Sequence, residues 1–440
     1  VPEKYIVQKH RTRCFGTIIL SGDRFKTGGG VVELTANMIW SGAIMTAVLI
    51  IFTLGKSPVF RVDRAGAAVI GSVLMIGTKV LTFDEASAAV DHRTIVILFS
   101  LMVVVANLKL AGFFEKLGDV VERNVHNQHQ LLAATIAVSG IVSAVAINDI
   151  VCLLFTPVVM LLCRKFQCNP LPHLLGVALA SNMGSAATLI GNPQNILVGG
   201  LSGLPFLDYF GTAAPIAGVG LFGIYAILTC LYRADLASPL NAGTEGALLV
   251  HGYLIRKSLL TLAAVILAYI NGMDLALAAA AGGAFLLVTR RVKPNKIYTS
   301  IDFNLLVIFI GLFVVVAGVE KSGLINYILR QFSFSGFESM GAFAGITVVV
   351  SNLVSNVPAV LLLKFFIPQH DPAVWWKGLA LFSTLAGNLT ITGSIANLIV
   401  AEIALGQKVR ITAWQYFRAG FPLTVGMTLL VIVWLRFWMN

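Results

Sequence analysis

Residues 38–54, 67–81, 98–110, 216–231, 259–270 and 421–438 form apolar runs, several without a single charge, each long enough or nearly so to cross roughly 30 Å of hydrocarbon. In lipid every backbone amide and carbonyl must be satisfied inside the protein, so such runs fold as helices. The expected fold class is an all-α polytopic membrane protein. A chain of 440 residues with 57% hydrophobic and 12% charged residues excludes a set of soluble domains.

The sequence also matches itself at an offset of about two hundred residues. At 211, Asp63 falls on Asp274, Asp91 on Asp302, and Val103-Val104-Val105-Ala106 on Val314-Val315-Val316-Ala317. At 208, Asn148 meets Asn356; at 202, Ser181, Thr188, Gly191 and Asn195 meet Ser383, Thr390, Gly393 and Asn397. The predicted organisation is a polar arm over 1–36, a first repeat over 37–233, a linker over 234–247 and a second repeat over 248–440. Each half reads as three spans, a pair of short apolar segments, one span interrupted by polar residues, and a last span. The short pairs, 131–147 with 150–163 and 341–354 with 357–367, are split at an asparagine and are too short to cross comfortably, so each is expected to be a re-entrant hairpin. Five true crossings per half invert the second half relative to the first, which predicts an inverted repeat.

Net charge is +11, and the basic residues sit in short loops and form no Lys/Arg stripe with interleaved aromatics, so a lipid bilayer and not nucleic acid is the expected partner. Alternate loop faces from residue 37 onward collect 18 and 7 Lys and Arg, which places the richer face in the cytoplasm and the chain in the cell inner (plasma) membrane as a multi-pass protein.

Gly, Pro, Asn and Thr inside apolar spans mark places where backbone leaves the helix, tolerated at depth only if protein or a wet cavity surrounds it. Four such places occur: Ile147-Asn148-Asp149, Ser355-Asn356-Val357-Pro358, the run 181–195, and the run 386–397. Proline in Gly191-Asn192-Pro193 interrupts one helix, and Thr392-Gly393-Ser394 interrupts its counterpart. The predicted solute-binding residues are Asn148, Thr188, Gly191, Asn192, Asn195, Ser355, Asn356, Thr392, Gly393, Ser394 and Asn397, since amides and hydroxyls both donate and accept. The alternative for each is helix-to-helix glue. Asp149 is the only acid at the four breaks, and a carboxylate at that depth is costly unless it carries a proton or pairs with a cation, so it is the predicted coupling residue; capping of the following helix is the plainer use.

The remaining polar groups have ordinary readings. The cysteines Cys14, Cys152, Cys163, Cys168 and Cys230 show neither a disulfide framework nor zinc spacing, and no metal or cofactor is expected; a thiol pair at Cys163 and Cys168 is the alternative to core packing. Trp375, Trp376, Trp414, Trp434 and Trp438 read as interfacial anchors. The seven histidines are scattered, and no HExxH or GxSxG motif supports an enzyme.

On Asn148-Asp149 with Phe155-Thr156-Pro157, the run Thr188-Leu-Ile-Gly-Asn-Pro-Gln-Asn195, and Ser355-Asn356-Val357-Pro358, the chain resembles the ion transporter superfamily, which includes arsenite permeases (ArsB), the melanosomal P protein, citrate permeases and divalent anion/sodium symporters. The resemblance implies a scaffold that dimerises and a moving transport domain of hairpins and broken helices. Sodium-coupled carboxylate members carry Ser-Asn-Thr at both hairpin tips; Ile147-Asn148-Asp149 and Ser355-Asn356-Val357 depart from that pattern and are closer to the arsenite permease branch. The expected function is therefore a secondary active transporter driven by a proton or sodium gradient. It is a proton-coupled exporter of arsenite or antimonite, or else a sodium- or proton-coupled carrier of carboxylate or inorganic anions.

Overall fold

The computed structural model describes residues 35–437, apart from 58, 241–250, 289–291, 332–338 and 369. Of the expected polar arm, residues 1–34 lie outside the described residues, as do 241–247 of the linker, Arg290, Arg291 and Trp438.

Among the described residues all regular elements are helices. The chain runs through α1 (Ala36–Leu54), α2 (Arg64–Gly77), α3 (Phe83–Ala89), α4 (His92–Leu110) and α5 (Phe113–Asn124). It continues through α6 (Gln128–Val145), α7 (Asn148–Lys165), α8 (Leu171–Ser185), α9 (Pro193–Ser202), α10 (Phe206–Leu231) and α11 (Arg233–Leu236). A like succession follows: α12 (Gly252–Ile270), α13 (Leu275–Leu287), α14 (Pro294–Tyr298), α15 (Phe303–Lys321), α16 (Leu324–Gln331), α17 (Met340–Val354), α18 (Asn356–Leu363), α19 (Pro372–Ala386), α20 (Ile395–Gly406) and α21 (Ala413–Arg436). Seven of these, α1, α4, α6, α10, α12, α15 and α21, are long and apolar enough to cross a membrane. The protein is a multi-pass helical membrane protein.

The acids that recur at the 211-residue offset are helix caps. Asp63 accepts from the Gly66 N–H to start α2, and Asp274 accepts from Leu277 to start α13. Asp91 and Asp302 cap α4 and α15 in the same way. A side-chain acceptor at this position satisfies one of the otherwise unpaired amides of the first turn. The apolar run 67–81 makes a shorter helix than its length suggests: α2 stops at Gly77, and the chain turns through Lys79, whose φ of 61° is left-handed.

Packing pairs α2 with α15 and α4 with α13, α6 with α8 and α17 with α19, and α10 with α21. Where α2 crosses α15 the backbones nearly touch: a Cβ on Gly311 would lie 2.6 Å from the Ala68 Cβ, and Ser72 Oγ donates to the Gly311 carbonyl at 3.1 Å. Trp375 is not an interfacial anchor. It is fully buried with its ring edge-to-face against Phe343 at 5.3 Å, whereas Trp414 is exposed as an anchor should be. Tertiary packing overrides the amphipathic preference of the indole here.

A buried cation also ties the two successions together. Lys377 of α19, with 4% of its side chain exposed, donates to Asp208 of α10 at 2.7 Å. Removing one partner leaves a buried charge short of its counter-ion, so Asp208→Ala is expected to cost about 1–3 kcal/mol, less than a fully buried pair because Asp208 is 41% exposed. A thermal midpoint in detergent matching the wild type contradicts this.

Candidate transport site

Two helical hairpins and two broken helices meet in the interior. In the first hairpin α6 ends at Val145, the chain turns through Ala146 and Ile147, and α7 starts at Asn148. In the second, α17 turns into α18 through Ser355, held at φ 76°, where a non-glycine residue is strained. Each tip is fastened to the helix break beside it. The Asn148 N–H donates to the Gly191 carbonyl at 3.1 Å, and Thr188 Oγ1 donates to the Ala144 carbonyl. On the other side Asn352 Nδ2 donates to the Ala386 carbonyl at 2.8 Å, and Thr390 Oγ1 donates to Asn352 Oδ1.

The breaks share one device. Asn192 caps α9 by accepting from the Asn195 N–H, and Ser394 caps α20 by accepting from Ala396. Asn195 Nδ2 reaches back to the carbonyls of Ser185 and Thr188, ten and seven residues earlier, at 3.3 and 2.9 Å. Asn397 Nδ2 does the same to Gly387 and Thr390, again ten and seven residues back, at 2.7 and 3.2 Å. These are the carbonyls that an unbroken helix would have satisfied. Gly191 is obligatory, because a Cβ there would sit 2.4 Å from the Ser185 carbonyl oxygen and 2.8 Å from that of Ser143. Asn195→Ala or Asn397→Ala strands two buried carbonyls at about 1–3 kcal/mol for an unsatisfied group, so thermal stability and solute affinity should fall together. A variant unchanged in both contradicts this reading of the break.

At the site, Asn182 and Thr384 each bond across from one succession of helices to the other. Asn182 of α8 donates through Nδ2 to Asn388 Oδ1 and Asn397 Oδ1, both at 3.0 Å, and its Oδ1 accepts from Asn148 Nδ2 at 2.9 Å and from Ser394 Oγ at 3.1 Å. Thr384 of α19, its partner at offset 202, donates to Asn195 Oδ1 and accepts from Asn192 and Gln194. The Asn356 amide fits its surroundings with Nδ2 toward Ser351 Oγ and the carbonyls of Ser383 and Gly393, and with Oδ1 accepting from Gln194 Nε2 at 3.2 Å.

A cavity of about 30 Å³ lies among the tips and breaks, lined by Asn148, Asp149, Gln194, Ser355, Asn356 and Ser394 together with Pro193, Leu305, Val357 and Ile395. Its polar walls are amides, hydroxyls and one carboxylate, with no Lys or Arg. The starts of four helices, α7, α9, α18 and α20, converge on it, so the positive ends of their dipoles point inward. Asn148 Oδ1 is buried without a hydrogen-bond partner. Larger hollows sit elsewhere; one of about 540 Å³ between α12 and α13 includes none of the hairpin or break residues.

Of the residues predicted from sequence, Asn148, Asp149, Ser355, Asn356 and Ser394 line the cavity. Thr188, Gly191, Asn192, Asn195, Thr392, Gly393 and Asn397 lie behind it and shape the breaks. Cys152 is buried against Ser181 Oγ at 2.9 Å and does not line the cavity. Asn182, Gln194, Thr384, Asn388 and Asn352 were not singled out. Asn182 and Gln194 fall within the polar run 181–195, so their signal was present but undivided.

Hairpin tips set against helix breaks around a small polar cavity, in an all-helical multi-pass protein, are the architecture of a membrane transporter. The chain belongs to the citrate transporter family, whose model matches residues 47–386. It is 28% identical to the silicon efflux transporter LSI3 of rice over 84% of this chain and 92% of that one. It is also 22% identical to the putative transporter arsB of Dictyostelium discoideum over 83% and 85% of the two chains. The solved YdaH transporter of Alcanivorax borkumensis shares the fold, with a TM-score of 0.56 at 14% identity over 91% of this chain and 98% of that one.

Proposed function

We propose that this protein is a proton-coupled secondary transporter that exports arsenite or antimonite. The observation that carries this reading is the cavity wall: amides and hydroxyls, an unpartnered Asn148 Oδ1, a single acid and no basic side chain. Arsenite at neutral pH is an uncharged trihydroxide whose hydroxyls donate to Asn148 Oδ1 and to the remaining lone pair of Asn356 Oδ1 without a counter-cation. The volume of about 30 Å³, room for one or two waters, is small for a tricarboxylate. The rice relative is named for silicon efflux, and the slime-mould relative is named arsB.

Asp149, facing the start of α20 from the tip of the first hairpin, is the proton carrier in this reading. The two successions form an inverted repeat over 37–233 and 248–440. The exchange of partners between α2 with α15 and α4 with α13 supports a two-fold relation between the successions, and the inversion rests on the count of five crossings in each half. The cytoplasmic face is the one rich in Lys and Arg, and the working unit is a homodimer built on the scaffold helices.

A second reading, a carboxylate or inorganic anion as solute, is favoured by the family and by the four helix N-termini, which stabilise negative charge without basic residues. Flux in proteoliposomes of arsenite, antimonite, citrate, succinate and sulfate, under separately imposed pH and sodium gradients, decides between them. Arsenite movement driven by the pH gradient alone is expected. Citrate movement with no arsenite flux contradicts the first reading.

A further inference from the structure

The far end of the first hairpin holds three ligand-bearing side chains that the transport site does not use. Cys163 closes the last turns of α7, Cys168 lies in the following loop, and His173 sits in the first turn of α8. The loop reverses tightly: Gln167 takes a left-handed φ of 50°, and the Cys168 N–H donates to the Cys163 carbonyl at 3.0 Å, which turns both sulfurs to one side. The two Sγ atoms and an imidazole nitrogen lie within 4.8 Å of one another. His173 is 0% exposed, and the polar side chain facing its ring is the Cys168 thiol. A buried imidazole with a ring nitrogen left unpaired is costly, so its retention in an otherwise apolar helix start (Leu171, Leu174, Leu175) points to a ligand.

We propose that Cys163, Cys168 and His173 bind a thiophilic d¹⁰ metal ion of the Zn²⁺ type. Zn–S distances near 2.3 Å and Zn–N near 2.0 Å in tetrahedral geometry put the ligand atoms about 3.6–3.8 Å apart, a small contraction of the observed cluster. Both thiols release their protons to solvent on binding, and the partly exposed side at Cys168 leaves the fourth position open to water or a small anion. The metal would clamp the end of the hairpin arm that starts at Asn148 to the helix that carries Asn182. The site thus stiffens the support of the transport cavity from its edge.

The test uses the purified full chain, reduced and stripped with a chelator, then titrated with Zn²⁺ in competition with a chromophoric chelator, and with Co²⁺ as a spectroscopic probe. The wild type should take up one equivalent and show a thiolate-to-cobalt charge-transfer band. Cys168→Ser, Cys163→Ser and His173→Gln should each weaken Zn²⁺ binding roughly 100-fold or more, while Cys230→Ser, exposed and outside the cluster, should not. Cys168→Ser changes only a loop residue, so it reports on the site even if His173→Gln fails to fold. Absence of metal uptake, unchanged affinity in Cys168→Ser, binding of arsenite but neither Zn²⁺ nor Co²⁺, or a Cys163–Cys168 disulfide as the sole product would each overturn the assignment.

Discussion

Asp149→Asn abolishes gradient-driven flux, down to the leak of protein-free liposomes, and leaves a folded protein that inserts normally. The amide keeps the shape of the side chain and its place in the first turn of α7, but it cannot load and release a proton. A merely structural carboxylate makes the opposite forecast. A charge at a helix N-terminus is worth about 0.3–1 kcal/mol, so a capping role would shift the thermal midpoint by a few degrees and leave coupled transport intact. Measured together, flux and melting temperature therefore separate the two roles. Full coupled flux in the variant removes Asp149 from the mechanism.

Gly184→Ala should be among the most damaging single-methyl additions in the described residues. Gly184 of α8 lies directly on Gly140 of α6, and a Cβ there would stand 2.0 Å from the Gly140 carbonyl oxygen and 2.4 Å from its Cα. Both obstacles are backbone, so the helices must part, and they carry Asn182 and the Thr188 anchor of the hairpin tip with them. Overpacking costs about 1–3 kcal/mol where side chains can yield and more where they cannot, so loss of monodisperse protein is expected. Gly218→Ala in α10, where nothing lies within 4 Å of the added methyl, is the control and should be neutral or stabilising by up to about 1 kcal/mol. Equal stability of the two variants contradicts the account of the α6–α8 contact.

The hairpins were legible because an asparagine between two short apolar segments is an expensive thing to bury, and the self-match supplied the second example. The recurrent acids Asp63, Asp91, Asp274 and Asp302 were visible as a pattern, but only coordinates show that they cap helices. Which polar groups face the cavity was not legible. Asn195 and Asn397 have the composition of a binding residue, yet their amides are consumed by the carbonyls that the breaks expose, a use set by backbone geometry that spacing does not encode. Asn182 was hidden for a related reason: its repeat partner is Thr384, so the conspicuous asparagine pairing fails where the bridging role is shared by unlike side chains. Trp375 was misplaced because an indole suits both interface and core, and the Phe343 contact that decides the matter is made by a different helix.

In the proposed cycle one amide-lined cavity binds the solute and exchanges it for a proton at Asp149. Proteoliposomes enclosing a pH-sensitive dye, given a pulse of arsenite with no imposed gradient, test it most directly. The account predicts a lumenal pH change of the sign expected for protons moving opposite to arsenite, absent in Asp149→Asn. Arsenite entry without any pH change, or the same change in that variant, would contradict it.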